Sequence, residues 1–269
     1  MSKYVIVIPA RYGSTRFPGK PLAEICGKTM LERTYEIAKK ASVNFDCDVI
    51  VSTESEKISY FCEEKSIKCV ITSDSCKTGT DRVCETVKKL DYKPKFVLNL
   101  QGDAPLTPPW FLEKMIEVLE QDSKVDMVTP GYRMKWNELD KMREDKKTTP
   151  FTGTTIIMNQ KTNDAIWFSK NIIPAVRKEE TYRNNNEYSP VIRHIGLYAY
   201  SYDMLMKIGD LEESYYEKLE GLEQLRVLEN GYKVKIAMVD YRGRPSSSGV
   251  DNPEDIARAE EIIKKYGEF

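Results

Sequence analysis

The chain has 269 residues, with 41 lysines and arginines against 42 acids, for a net charge of -1. No global field draws it to nucleic acid or to an anionic membrane, so any anion site must be local. Its hydrophobic content is 41%, and no apolar run approaches the ~20 residues that span a bilayer. The length suits one α/β domain spanning 1–269 with a substantial core. The N-terminus runs straight into a strand without a signal-peptide pattern, and the expectation is a soluble, cytoplasmic protein. Cysteines 26, 47, 62, 69, 76 and 84 all lie in the first third and form no C-x-x-C, and histidine occurs once. Reduced, mostly buried thiols fit that pattern better than a zinc site.

In chain order, Val5–Ile8 is a β-branched run with the composition of a fully buried strand, ending at Pro9. A loop follows that carries Arg11, Arg16 and Lys20, with Gly13 and Gly19 between them. Three scattered cations alone read as a solvated basic loop. Placed directly after a first buried strand, they read as a polyphosphate site, with glycines admitting backbone N–H groups and cations neutralising charge. G-x-G-x-x-G is absent. A Walker A loop is excluded as well, since Pro21 stands where Ser or Thr should follow the lysine.

Met30–Ala41 reads as a helix, Asp48–Thr53 as a strand, Ser55–Lys65 as a helix and Lys68–Thr72 as a short strand. This alternation predicts an α/β fold with a doubly wound, mostly parallel sheet. Thr78-Gly79-Thr80-Asp81-Arg82 opens a helix to Leu90, a well-capped start that could also contact an anion. Phe96–Leu100 is a strand ending in Gln101-Gly102-Asp103, which puts a carboxylate at a strand tip. Asp103 can serve as a turn cap or as a Mg²⁺ ligand; its position on the same edge as Arg11 and Lys20 favours the metal.

Pro108–Gln121 reads as a helix, Val125–Gly131 as a strand, and 134–149 as a charged insert of helix plus exposed loop. Thr154–Asn159 and Ala165–Ser169 read as strands, Thr181–Ser189 as a polar mobile stretch, and Arg193–Tyr200 as one strand containing His194 and Tyr198. Tyr216–Asn230 reads as one amphipathic helix, with Leu219, Leu222, Leu225 and Leu228 at core spacing and Glu223 and Gln224 able to face a ligand's hydroxyls. After a last strand at Val234–Val239, Asp251 precedes the terminal helix. It is placed to act as N-cap, as metal ligand, or as both.

Several stretches together resemble the 3-deoxy-manno-octulosonate (Kdo) cytidylyltransferases: I-P-A-R-Y-G-S-T-R-F-P-G-K-P-L, the Thr78–Arg82 segment, Q-G-D-A-P, R-H-I-G-L-Y-A-Y, L-E-Q-L-R-V-L and G-V-D-N-P-E-D. The resemblance runs from the first strand to the last helix. It implies a nucleotide-diphospho-sugar transferase-like fold with an inserted substrate and dimerisation lobe at about 132–200. The implied reaction couples CTP to Kdo, giving CMP-Kdo and pyrophosphate for lipopolysaccharide-type glycan synthesis in a homodimer, with no nucleic-acid or membrane partner. It assigns Arg11, Lys20, Asp103 and Asp251 to catalysis, the two aspartates holding Mg²⁺. Arg11, Arg16, Lys20, Thr78, Gly79, Arg82 and Gln101 would hold the nucleotide. Gln101, Lys170, Arg177, His194, Tyr198, Glu223 and Gln224 would hold the sugar acid.

Two departures stand out. Ala104 replaces the glutamate of Q-G-D-E-P, and 149–170 lacks the N-P-N-x-V-K-V-V lysine and has Lys170 in place of an arginine. Lysine loses the planar guanidinium fork, so an alternative acceptor, 8-amino-Kdo or another ulosonic acid, stays open beside Kdo. A nucleotide-binding protein without catalysis is a further alternative, resting on Ala104 alone.

Overall fold

The structure, a computed structural model, describes residues 3–13, 17–122, 124–246 and 249–269. Arg16 of the expected phosphate loop therefore lies outside the described residues. The strands are β1 (Tyr4–Pro9), β2 (Glu24–Ile25), β3 (Lys28–Thr29), β4 (Cys47–Thr53), β5 (Cys69–Ile71), β6 (Phe96–Asn99), β7 (Met127–Lys135), β8 (Thr155–Met158), β9 (Ala165–Ser169), β10 (Tyr188–His194), β11 (Tyr198–Ser201) and β12 (Val234–Met238). The helices are α1 (Met30–Ser42), α2 (Glu56–Glu64), α3 (Gly79–Lys88), α4 (Pro109–Gln121), α5 (Trp136–Thr148), α6 (Glu179–Asn185), α7 (Tyr202–Ile208), α8 (Tyr215–Glu220), α9 (Gln224–Glu229) and α10 (Glu254–Tyr266). No described helix is long and apolar enough to cross a membrane.

The chain forms two compact units, the first built from 1–113, 199–209 and 241–269 and the second from 114–198 and 210–240. In the first, β5, β4, β1 and β6 pair in that order and all in parallel. Burial on both faces explains their unbroken apolar runs: Val5 to Ile8, Ile50, Val51, Val97 and Leu98 are fully buried. Each such side chain contributes roughly 1.5–3 kcal/mol relative to exposure. Helices α1, α2 and α3 flank this sheet. Helix α1 starts where Thr29 accepts from the Glu32 amide, and it buries Met30, Leu31, Ile37 and Ala38. The chain runs from β1 outward to β4 and β5, then crosses back to β6 on the other side of β1. The strand order thus reverses between β1 and β6, the place where open α/β sheets leave a crevice at their carboxyl ends.

In the second unit, β12 pairs parallel with β7, and β7, β10, β8 and β9 follow as antiparallel neighbours. Three sequence expectations change here. Residues 181–189 are not an irregular stretch: α6 forms because Glu179 binds Arg143 and Arg183, and Arg183 also binds Asp140. The 193–200 run is not one strand. It breaks between β10 and β11, where the Ile195 amide donates to Pro130 and the Leu197 amide folds back onto the Ile195 carbonyl.

The 216–230 helix is two helices, because Gly221 adopts the left-handed conformation (φ 62°) that ends α8. Across that break the buried Glu217 carboxylate holds the Arg226 guanidinium at 2.6 and 2.7 Å. The break also turns Leu219 out of the core, leaving it 64% exposed, while Leu222 and Leu225 stay buried.

Candidate functional site

The first cluster forms at the β1/β6 crevice. Strand β1 ends with Pro9 opposite Ser52, one residue before β4 ends, and β6 ends beside Val7. The loops after the three strands therefore leave from one edge. Gly102 is required there: its amide donates to the Pro9 carbonyl at 3.2 Å, and a Cβ would meet that oxygen at 2.7 Å. Gly19, in the left-handed region at φ 73°, returns the basic loop so that its amide donates to Tyr12. A cavity of about 360 Å³ opens between these loops, lined by Arg11, Lys20, Gly79, Arg82, Gln101 and Asp103 among others.

Lys20 ties the cluster together. Its ammonium lies 2.8 Å from an Asp103 carboxylate oxygen and 3.4 Å from one of Asp251. These partners are 83 and 231 residues away in sequence. The two aspartate loops are stitched by the Val250 amide, which donates to the Asp103 carbonyl at 2.8 Å.

Asp251 does not cap the terminal helix. That helix begins after Pro253, and it is Asp255 that accepts from the Asp251 and Asn252 amides. The Asp251 carboxylate is thereby left to Lys20. Two carboxylates converging on one ammonium form a hard oxygen donor set of the size Mg²⁺ takes from protein, with phosphates and water supplying the remainder.

Arg82 is more deeply engaged than its sequence position indicates. It is 1% exposed, its guanidinium lies 3.0 Å from Glu54, and it donates to Thr72. The other Glu54 oxygen accepts the Tyr12 amide at 2.9 Å, so Glu54 couples Arg82 to the basic loop. Glu54 and Thr72 were missed from sequence; the available signal was an acid directly after the buried V-I-V-S-T strand. Gln101 donates to Asn99 at 2.9 Å, and its amide group packs against Gly79, where a Cβ would sit 3.0 Å away. The Thr78 hydroxyl accepts from the Asp81 amide and Asp81 accepts from the Thr78 amide, a capping box that commits this threonine to α3.

The second cluster lies in the second unit. His194 at the end of β10 contacts the Thr129 hydroxyl at 2.8 Å, and that hydroxyl also lies 2.8 Å from the Leu197 carbonyl. A hydroxyl has one proton and spends it on the carbonyl. The network therefore assigns the imidazole proton to Nε2, donating to Thr129, and leaves Nδ1 an acceptor. Burial pushes the His194 pKa down to about 3, with the Lys170 charge acting in the same direction, so the ring is neutral at physiological pH. The His194 and Tyr198 rings are 5.6 Å apart. Burial, then the Glu223 charge, pushes the Tyr198 phenol well above its usual range, keeping its proton for donation to Gln224 Oε1 at 3.2 Å.

Gln224 is 1% exposed, and its Nε2 is a buried donor without a partner. An unspent buried donor costs about 1–3 kcal/mol unless a ligand oxygen meets it. The Lys170 ammonium makes no hydrogen bond or ion pair among the described residues. Arg177 is exposed.

A family model described as cytidylyltransferase matches residues 5–236. The chain belongs to the 3-deoxy-manno-octulosonate cytidylyltransferase family. It is 44% identical to the 3-deoxy-manno-octulosonate cytidylyltransferase of Maricaulis maris, over 98% of each chain. It is 37% identical to that of Protochlamydia amoebophila, over 98% of this chain and 95% of the relative. Among solved structures it resembles CMP:2-keto-3-deoxy-manno-octonic acid synthetase complexed with CTP, at 31% identity and a TM-score of 0.84, covering 98% and 99% of the two chains. This likeness and the parallel β5-β4-β1-β6 sheet flanked by helices agree with the fold class expected from sequence.

Proposed function

We propose that the chain couples CTP to Kdo, forming CMP-Kdo and releasing pyrophosphate. The observation that carries this reading is the convergence of Lys20, Asp103 and Asp251 at the sheet's switch point. In the reaction the anomeric hydroxyl oxygen of Kdo bonds to the α-phosphorus, the bond to the bridging oxygen of the β-phosphate breaks to release pyrophosphate, and the hydroxyl proton passes to solvent. Asp103 and Asp251 would hold Mg²⁺, which when bound lowers the hydroxyl's pKa and stabilises charge on the phosphoryl oxygens.

Lys20, with Arg11 and Arg16, would neutralise the triphosphate and the leaving pyrophosphate. Arg82, held by Glu54, supports the phosphate loop, and Gly79 and Gln101 border the nucleotide. In the second unit, Gln224 Nε2 donates to a sugar oxygen, His194 Nδ1 accepts from a hydroxyl, and Lys170, with Arg177, supplies positive charge for the carboxylate. Glu223 accepts a further hydroxyl.

The proposal includes a homodimer and a cytoplasmic location. Support for the first is a group of large apolar side chains in the second unit, Ile166, Tyr215, Tyr216 and Leu219, all 46–68% exposed. Support for the second is the set of six free thiols. The test is pyrophosphate release from CTP and Mg²⁺ with Kdo, 8-amino-Kdo or a sialic acid as acceptor. Turnover with Kdo is expected to exceed the others at least about tenfold. Silence with Kdo and turnover with another acid would overturn the acceptor assignment.

A further inference from the structure

Residues 149–170 depart from the family pattern, and the backbone around Lys170 is held by side chains that the sequence did not single out. Helix α5 ends with Lys146 in its last turn. The Lys146 ammonium does not point to solvent. It donates to the carbonyls of Pro150 (3.1 Å), Thr152 (2.6 Å), Gly153 (3.2 Å) and Lys170 (2.5 Å). The loop is built to bring them there: Gly153 sits at φ 72°, where a Cβ would lie 2.8 Å from Met142.

An ammonium has three protons, so four converging carbonyls more than saturate it. It holds this place at a cost, since burial and the nearby Lys170 and Arg193 charges lower its pKa. A surface lysine with no task would avoid that environment.

The amide on the other side of the Lys170 Cα is held by an opposite charge. Glu220, at the end of α8, accepts the Lys170 amide at 2.7 Å with one oxygen and the Ser169 hydroxyl at 2.8 Å with the other. The Asn171 amide donates back to Ser169 at 2.9 Å. Thr155 then donates to the Asn171 carbonyl at 2.7 Å and accepts the Ile173 amide at 3.0 Å. The backbone is thus pinned on both sides of Lys170, while the Lys170 side chain keeps its ammonium unpaired among the described residues. Its charge is nevertheless felt by half-buried His194.

We propose that Lys146 and Glu220 are positioning residues that hold the carbonyl and the amide flanking the Lys170 Cα and so fix where its ammonium meets the carboxylate of the sugar acid. The inference deepens the proposed function and rests on it. A lysine carries no planar fork to orient itself on a carboxylate, so its placement must come from the backbone beneath it. The clamp supplies that placement.

The test is steady-state kinetics of Lys146→Met, with Lys146→Gln as a second variant that keeps a short donor should the first fail to fold. Each is compared with wild type on varied Kdo at saturating CTP and on varied CTP at saturating Kdo. The expected result is a KM for Kdo raised about tenfold or more, with the KM for CTP within about twofold. Glu220→Gln is expected to move the same constant in the same direction by less. A general loosening of the fold would raise both KM values together, and that result would overturn the clamp. An unchanged KM for Kdo in a folded variant would overturn it too. In either of these cases wild-type turnover of Kdo leaves the proposed function standing, whereas a wild type inactive on Kdo would remove both.

Discussion

The two clusters solve recognition in opposite ways. In the first unit, the groups are charged, sit on loops at strand ends and are neutralised by one another: Lys20 by Asp103 and Asp251, Arg82 by Glu54. In the second, the groups that touch are uncharged and desolvated: a neutral histidine, a protonated tyrosine and a glutamine with an unspent donor. A triphosphate carries several charges and is held and activated by ions that can exchange partners. A sugar is told from its analogues by hydroxyls, and a buried neutral donor penalises any ligand that fails to meet it. The first cluster should therefore govern rate, and the second should govern which acid is accepted.

The largest expected effect that would break this comparison is at Lys20. Lys20→Met removes a cation from the triphosphate site and should lower kcat for pyrophosphate release roughly 10²–10³-fold. A variant within threefold of wild type would mean that the convergence is only a surface ion pair. Next comes Gln224→Ala, which should cut kcat/KM for Kdo about 10–100-fold while the KM for CTP stays within about twofold. Equal losses for both substrates would blur the division between clusters.

The smallest effect concerns stability. The folded pKa of His194, about 3, lies below its unfolded value of 6.5, so the unfolded chain binds the extra proton in that window. Stability contributed by the neutral ring is present above pH 6.5 and is lost as pH falls towards 3. Between pH 7 and pH 5 the wild-type Tm should drop by roughly 3 °C more than that of His194→Gln. Parallel Tm profiles would show that the ring is not desolvated.

What the sequence disclosed follows the same division. The parallel sheet was legible because buried strands need continuous apolar runs, and the grouping of charges at one edge was legible because Arg11 and Asp103 follow such runs within a few residues, with Lys20 later in the first loop. Partners supplied by tertiary packing left no local mark. Glu54 follows a strand like many loop acids, and only the fold shows it holding Arg82 and the Tyr12 amide. Lys146 looks like part of a solvated charge run, yet it is wrapped by carbonyls. Gly221 interrupts a leucine spacing that would otherwise continue as one helix, because a left-handed residue stops it whatever the apolar pattern says. Helix α6 was unreadable from its polar composition, since its support comes from Arg143 and Asp140 on a different helix.

The central claim is that Asp103 acts in cytidylyl transfer and not merely as a salt-bridge partner of Lys20. Pyrophosphate release from CTP, Mg²⁺ and Kdo by Asp103→Asn, with circular dichroism to verify the fold, tests it directly. The account predicts a folded protein whose kcat is at least about 10³-fold below wild type. Near-normal turnover in that variant would contradict it.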